Sequence, residues 1–252
     1  MYSLDQYVMA ASRGNDTNIG GTRKFGRNTD VDTAAAEDIW DGGGVYVPPT
    51  VARVHAIVSG SALDDAGSTG ATSVTIEGLD TNWDALSETV IMDGATPVNT
   101  VGSYLRVNRM YVATAGTGLV NAGIITATAA VDATVSAQIS LGKGQTLQAV
   151  FSTAARFNSY ITDLIVGVNR TSPAAQTCEA SLWVRPGANV ATAPWLQKSV
   201  FILHSESNVP YHHPFKNCPQ SVPPMSDIKI TCSVSANNFD ISAEFCVTAI
   251  AG

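Results

Sequence analysis

Carboxylates at alternate positions are the first arrangement in this chain that suggests chemistry. Asn28, Asp30 and Asp32 alternate within KFGRNTDVDTAAAEDIWDGGG (24–44), and Glu37, Asp38 and Asp41 follow. A calcium loop starts this way, then needs glycine at its sixth position and a bidentate glutamate at its twelfth. Counted from Asn28, those positions hold Thr33 and Ile39. Both the sharp turn and the last ligand are missing, so no calcium site is expected. His204, His212 and His213 gather in HSESNVPYHHPF. Imidazoles are common zinc ligands. Neighbours on a strand point to opposite faces, however, so His212 and His213 reach one metal only from a loop. No HExxH accompanies them, and packing against a neighbouring segment is the expected role. The reading calls for no metal and no cofactor.

Other candidates meet the same test. Asp64 and Asp65 form a carboxylate pair, but glycosidase carboxylates flank a bond from opposite sides, which adjacent residues do not achieve. A glycine-rich β turn explains SALDDAGSTG better. Ser205 beside His204 is adjacency without triad geometry, and no GxSxG elbow is present. GKGQT lacks the spacing of a phosphate loop and a following helix. Trp40, Trp83, Trp183 and Trp195 are scattered, so core or interface anchoring is expected rather than a sugar platform. Cys178, Cys218, Cys232 and Cys246 show no CxxC spacing. Cys178 and Cys232 fall on apolar faces and read as small buried thiols. No catalytic residue emerges, and the chain reads as non-enzymatic.

The elements that must position these residues are β-strands. Charged residues make up only 14% of the 252 and hydrophobic ones 45%, with a net charge of −7. Sparse charge suits surfaces that pack on other proteins, where each charge would have to shed its water. The acidic balance argues against nucleic acid, because phosphate contacts need excess Lys and Arg. No apolar run is long enough to span a membrane as a helix. MYSLDQYVMAASRGND has no basic start and no clean apolar stretch, so no secretory signal is read and synthesis in a cytoplasm is expected.

Residues 1–50 lack a sustained period and read as an extended arm, with TAAAEDIW making at most two helical turns before Gly42–Gly44 stop it. From Val51 the alternation is that of strands separated by Gly and Asp turns. SETVIMDGATPV reads as a hairpin turning at Asp93-Gly94. TCEASLWVRPG, WLQKSVFILHS and SDIKITCSVSA continue the pattern. The expected fold is all-β: an arm (1–50), then two β-sandwich or jelly-roll-like modules at 51–140 and 141–252.

The order of motifs carries a resemblance. FGRNTDVDTAAAEDIWDGGGVYVPPT, SGSALDDAGSTGATSVTIEGLDTNW, LSETVIMDGATPVNT, RVNRMYVATAGTGLVNAGIITA, GKGQTLQAVF and HHPFKNCPQSVPPMSDIKITCSVSANN resemble structural proteins of tailed bacteriophages, a group common in marine and environmental phages. The resemblance covers nearly all of 22–250. The four cysteines depart from it. It implies a virion component assembled in a host bacterial cytoplasm, with itself and with other virion proteins such as the major capsid or tail proteins. Capsid decoration is the leading placement. A tail, baseplate or fibre hub and a carbohydrate-binding host-recognition protein are the alternatives. Analogy with virion decorations and fibres makes a homotrimer the expected form.

On this reading the arm is the attachment element. Phe25 and Trp40 would be buried on docking, and Arg23, Lys24 and Arg27 would meet carboxylates of the partner, with Asp30 and Asp32 contributing their own charge. Trp195, Tyr211 and Phe215, in loop segments, would be further interface anchors.

Overall fold

The computed structural model describes residues 4–13, 16–169, 176–206, 210–215 and 218–252. Residues 1–3 and 14–15 of the expected arm, and 207–209 of the histidine-bearing segment, lie outside the described residues. The fold is nearly all β, as expected: seventeen strands, paired antiparallel, and one helix among the described residues. Two compact units are present. One consists of Met1–Ile39, Gly43–Val45 and Ala149–Gly252, the other of Trp40–Gly42 and Tyr46–Gln148. The first unit is thus assembled from both ends of the chain.

That assembly overturns the free arm. After α1 (Leu4–Arg13) comes β1 (Ile19–Val31), thirteen residues long, which pairs with the C-terminal strand from Ile19↔Ile250 to Val31↔Phe239. Its inward positions are Lys24, Gly26 and Asn28, so the apolar alternation that betrays a strand is missing. Gly26 is required there, since a Cβ would run into the backbone of Ile39 and Ala149. The helical turns expected of TAAAEDIW also fail to form. Thr33 donates from its amide and its hydroxyl to Asn237, and the Glu37 carboxylate takes the amides of Asp32 and Gly44. These bonds close a tight loop that ends in the short β2 (Glu37–Asp38). Val31 and Ile39 are fully buried in the core of this unit.

The second unit contains β3 (His55–Ser59), β4 (Ala71–Leu79), β5 (Ala85–Ile91), β6 (Val98–Asn99), β7 (Arg106–Ala115), β8 (Ile125–Ala129) and β9 (Val135–Ile139). They form sheets of order β6-β3-β8-β9 and β5-β4-β7. Ile57, Ile76, Tyr104, Met110, Ile125 and Ile139 are core residues. The hairpin expected at Asp93-Gly94 is corrected. The turn exists, with Gly94 at φ +56° and the Thr96 amide bonded to the Asp93 carbonyl. Its flanking strands do not pair: β5 joins β4 and β6 joins β3. The turn hands the chain from one sheet to the other.

The remaining strands return to the first unit: β10 (Val150–Ser152), β11 (Phe157–Asn169), β12 (Thr177–Arg185), β13 (Leu196–His204), β14 (Tyr211–Pro214), β15 (Gln220–Val222), β16 (Asp227–Val234) and β17 (Phe239–Ala251). One sheet has the order β1-β17-β11-β14, with β15 also on β11. The other has the order β10-β16-β12-β13, with β2 also on β16. Both sheets supply one hydrophobic core, through Ile161, Leu164, Phe239 and Phe245 on one side and Leu182, Val184, Ile228 and Ile230 on the other. Cys178 and Cys232 are wholly buried in it as free thiols. Burial, then the neighbouring Cys178, pushes the Cys232 thiol well up.

Candidate interaction surface

Much of the acidic stretch 24–44 is bonded within the chain. Glu37 accepts from the Asn28 side chain at 2.9 Å and the Gly44 amide at 3.0 Å. Asp38 is fully buried and meets the Lys229 ammonium at 2.9 Å, and that ammonium lies over the Trp195 ring at 4.9 Å. In the second unit, Ser140 donates to Asp41 from its amide and hydroxyl, at 3.1 and 3.0 Å. Burial nevertheless raises the Asp41 carboxyl to about 6, its other oxygen having no hydrogen-bond partner among the described residues.

The arginines assigned to a partner also bind at home. Arg23 pairs with Glu244 and Arg27 with Asp240, both carboxylates being on β17. Lys24 is buried, and Phe25 is partly buried. Asp30 stays exposed, whereas Asp32 accepts the amide of Asn238. Trp40 is a core residue, packed edge-on against Tyr46 with ring centres 5.3 Å apart. Lys24 and Trp40 are buried within the chain rather than held for a partner, and Arg23, Arg27 and Asp32 each have a partner within it. The physical reason is common to them. Strand β1 brings the charged residues against β17, where opposite charges await, and a tryptophan beside a glycine-rich turn folds into the nearest core.

Other candidates resolve similarly. Asp64 is fully buried and accepts four hydrogen bonds, from the Ser59 hydroxyl and the amides of Ala71, Ala122 and Gly123, at 2.6–2.9 Å. It pins three loops of the second unit together. Trp83 is buried beneath the Arg106 guanidinium, and the Trp183 indole donates to the Thr231 hydroxyl. His212 bonds Asp163 at 2.6 Å. Among the described residues no group of three His, Cys, Asp or Glu side chains could hold a metal ion.

Two of the expected anchors do come together. Tyr211 and Phe215, on and beside β14, flank His213: the Tyr211 and His213 rings stack at 6.3 Å, and the His213 and Phe215 rings meet edge-on at 4.5 Å. Phe201, from β13, packs on Tyr211 at 4.8 Å and on His213 at 5.5 Å. This aromatic strip joins the last strand of one sheet to the last strand of the other. Trp195 is not part of it, being held by Lys229.

Sequence reasoning missed what lies beside that strip. Strand β13 has Phe201 and Leu203 packed on the core, while Val200 is 50% and Ile202 67% exposed. These two form an apolar pair on its outer side, opposite Ser181 and Glu179 of β12. No described strand pairs with the far edge of β13. The signal was the run Val200-Phe201-Ile202-Leu203: four apolar residues in one strand supply both faces, and a strand at the margin of a sheet buries only one.

Comparisons with known proteins add no function. No protein-family model matches the chain, and no curated protein matches it by sequence. Among solved structures, it is similar to the structure of T=1 particles derived from infectious bursal virus, at 11% identity and TM-score 0.19, over 98% of this chain and 75% of that one. It is similar also to the structure of infectious bursal disease virus, Gt strain, at 9% identity and TM-score 0.17, over 94% of this chain and 78% of that one. At these TM-scores neither likeness carries an argument.

Proposed function

We propose that this chain is a non-enzymatic structural protein of a tailed-phage particle, a capsid decoration or cement protein built from two β-sandwich, jelly-roll-like modules. It packs against copies of itself and against other virion proteins. The observation that carries the reading is β13: a nine-residue marginal strand exposing an apolar pair on a chain whose charges are few. Large exposed apolar surface on a sheet margin marks protein contact. The carboxylates that could have done chemistry support the same reading, because Asp64 and Glu37 accept several hydrogen bonds and Asp38 pairs with Lys229, all within the fold. The resemblance of the motif order to phage structural proteins supports placement in a particle. A homotrimer is the form that analogy favours.

The test is quantitative mass spectrometry of purified particles of the phage that encodes the chain. A copy number in a fixed ratio to the major capsid protein supports decoration. A count of a few per particle moves the chain to the tail, and absence from particles refutes the reading.

A further inference from the structure

We infer that β13 is a self-pairing edge: two copies of the chain join antiparallel along Lys198–His204 and merge their β10-β16-β12-β13 sheets into one. The inference deepens the self-association proposed above and is independent of where in a particle the chain resides.

The backbone fixes which groups are available. Ser205 donates its amide to the Gln176 carbonyl at 2.9 Å. With the register Thr177↔His204 through Leu182↔Ser199, this turns the amides and carbonyls of Leu203, Phe201 and Ser199 toward β12. Those of Val200, Ile202 and His204 turn away, because bonding direction alternates along an antiparallel strand. The bulge after Leu182 ends this regular edge near Lys198. The ready stretch is therefore 198–204, about 23 Å of strand.

Several other margins are guarded in ways β13 is not. Natural sheets protect their edges with short strands, proline, charge or covering segments. Strand β10 has three residues, and β14 has four, ending in Pro214. Strand β1 carries Arg23, Lys24 and Arg27 and has α1 against it. Strand β7 is covered by residues 144–146, through the Val112 amide to the Gly144 carbonyl and the Thr146 amide to the Met110 carbonyl. Strand β13 has no proline and a single charge, Lys198.

A second copy fits this edge. Pairing about a twofold axis at Phe201 sets Val200 opposite Ile202 of the second copy, twice, and β-branched pairs of this kind stabilise adjoining strands. Lys198 falls opposite His204, never opposite another lysine. Glu179, exposed on β12 beside Ile202, lies one row from Lys198 of the second copy, diagonally across the junction. The edge thus offers matching residue types to a second copy of itself. Such a contact is isologous and closes as a dimer, where analogy with virion proteins favoured a trimer.

Sedimentation velocity of the full chain tests this. The native chain is expected to be a dimer. Ile202→Lys, at an exposed position, should raise the dimer dissociation constant at least about 100-fold with an unchanged circular dichroism spectrum. Lys198→Glu should weaken the dimer about tenfold, and adding Glu179→Lys to it should restore association. A native monomer or trimer, a dimer indifferent to Ile202→Lys, or a charge swap that fails to restore association would each overturn the proposal. None of these outcomes bears on the copy number in particles, which tests the virion reading separately.

Discussion

Residues 24–44 and residues 196–204 invert each other. The acidic stretch has six acidic or arginine side chains within fifteen positions, from Arg27 to Asp41, and in sequence it resembles a surface awaiting a partner. The β13 stretch reads as one more strand. In the folded chain, residues 24–44 are strapped down by Glu37, Asp38, Arg27 and their partners, whereas β13 exposes Val200 and Ile202. Charge visible in a sequence finds opposite charge inside the same fold when a strand carries it there. Apolar residues left over after one face is filled have no such recourse, and a sheet margin is where they remain.

The largest expected effect concerns the supposed arm. Deleting residues 1–45 removes β1 and β2 and takes Val31 and Ile39 from the core, so the first unit should fail to fold. Loss of near-ultraviolet circular dichroism and of a cooperative urea transition would show it. A truncated chain with native spectra would restore the detachable arm and dissolve the contrast.

Trp40→Ala sharpens it. A buried tryptophan in edge contact with Tyr46 should cost about 3–5 kcal/mol of stability on truncation, measured by urea denaturation. An interface anchor would instead leave stability alone and reduce association.

Asp41→Asn has a smaller effect, which depends on pH. Burial raises this carboxyl from 3.8 to about 6 in the folded chain. Between those values the folded chain holds a proton that the unfolded chain releases. The contribution of Asp41 is therefore fully present at low pH and lost as pH rises through the folded value. Asparagine keeps an acceptor for Ser140 without the buried charge. It should raise stability by on the order of 2 kcal/mol above neutrality, and the gain should vanish toward pH 4. A gain independent of pH would contradict this.

Arg23→Ala should matter least. Its pairing with Glu244 is exposed to solvent, and such pairs contribute under about 1 kcal/mol. Stability within that margin, with association unchanged, is expected.

The β character of the chain was legible because strand periodicity survives from Val54 to the last strand, and the burial of Cys178 and Cys232 followed from it. Strand β1 was not legible. Its inward side chains are Lys24, Gly26 and Asn28, acceptable only because β17 and the segments at Ile39 and Ala149 close over them. The role of Asp64 was equally hidden, since its donors come from residues as distant as Gly123. Tyr211 and Phe215 were identifiable as aromatics outside the core pattern, but their meeting through His213 depends on β14 pairing with β11. The exposure of Val200 and Ile202 could not be read from β13 alone, because a strand's place at the margin is a property of the whole sheet.

Hydrogen exchange across a range of protein concentrations measures both halves of the contrast in one experiment. Amides of Lys24, Gly26 and Asn28 should be protected equally at every concentration, because they face β17 within one chain. Amides of Val200, Ile202 and His204 should exchange rapidly in dilute solution and become protected as concentration rises. Rapid exchange at Lys24, Gly26 and Asn28, or exchange at Val200, Ile202 and His204 that ignores concentration, would contradict the account.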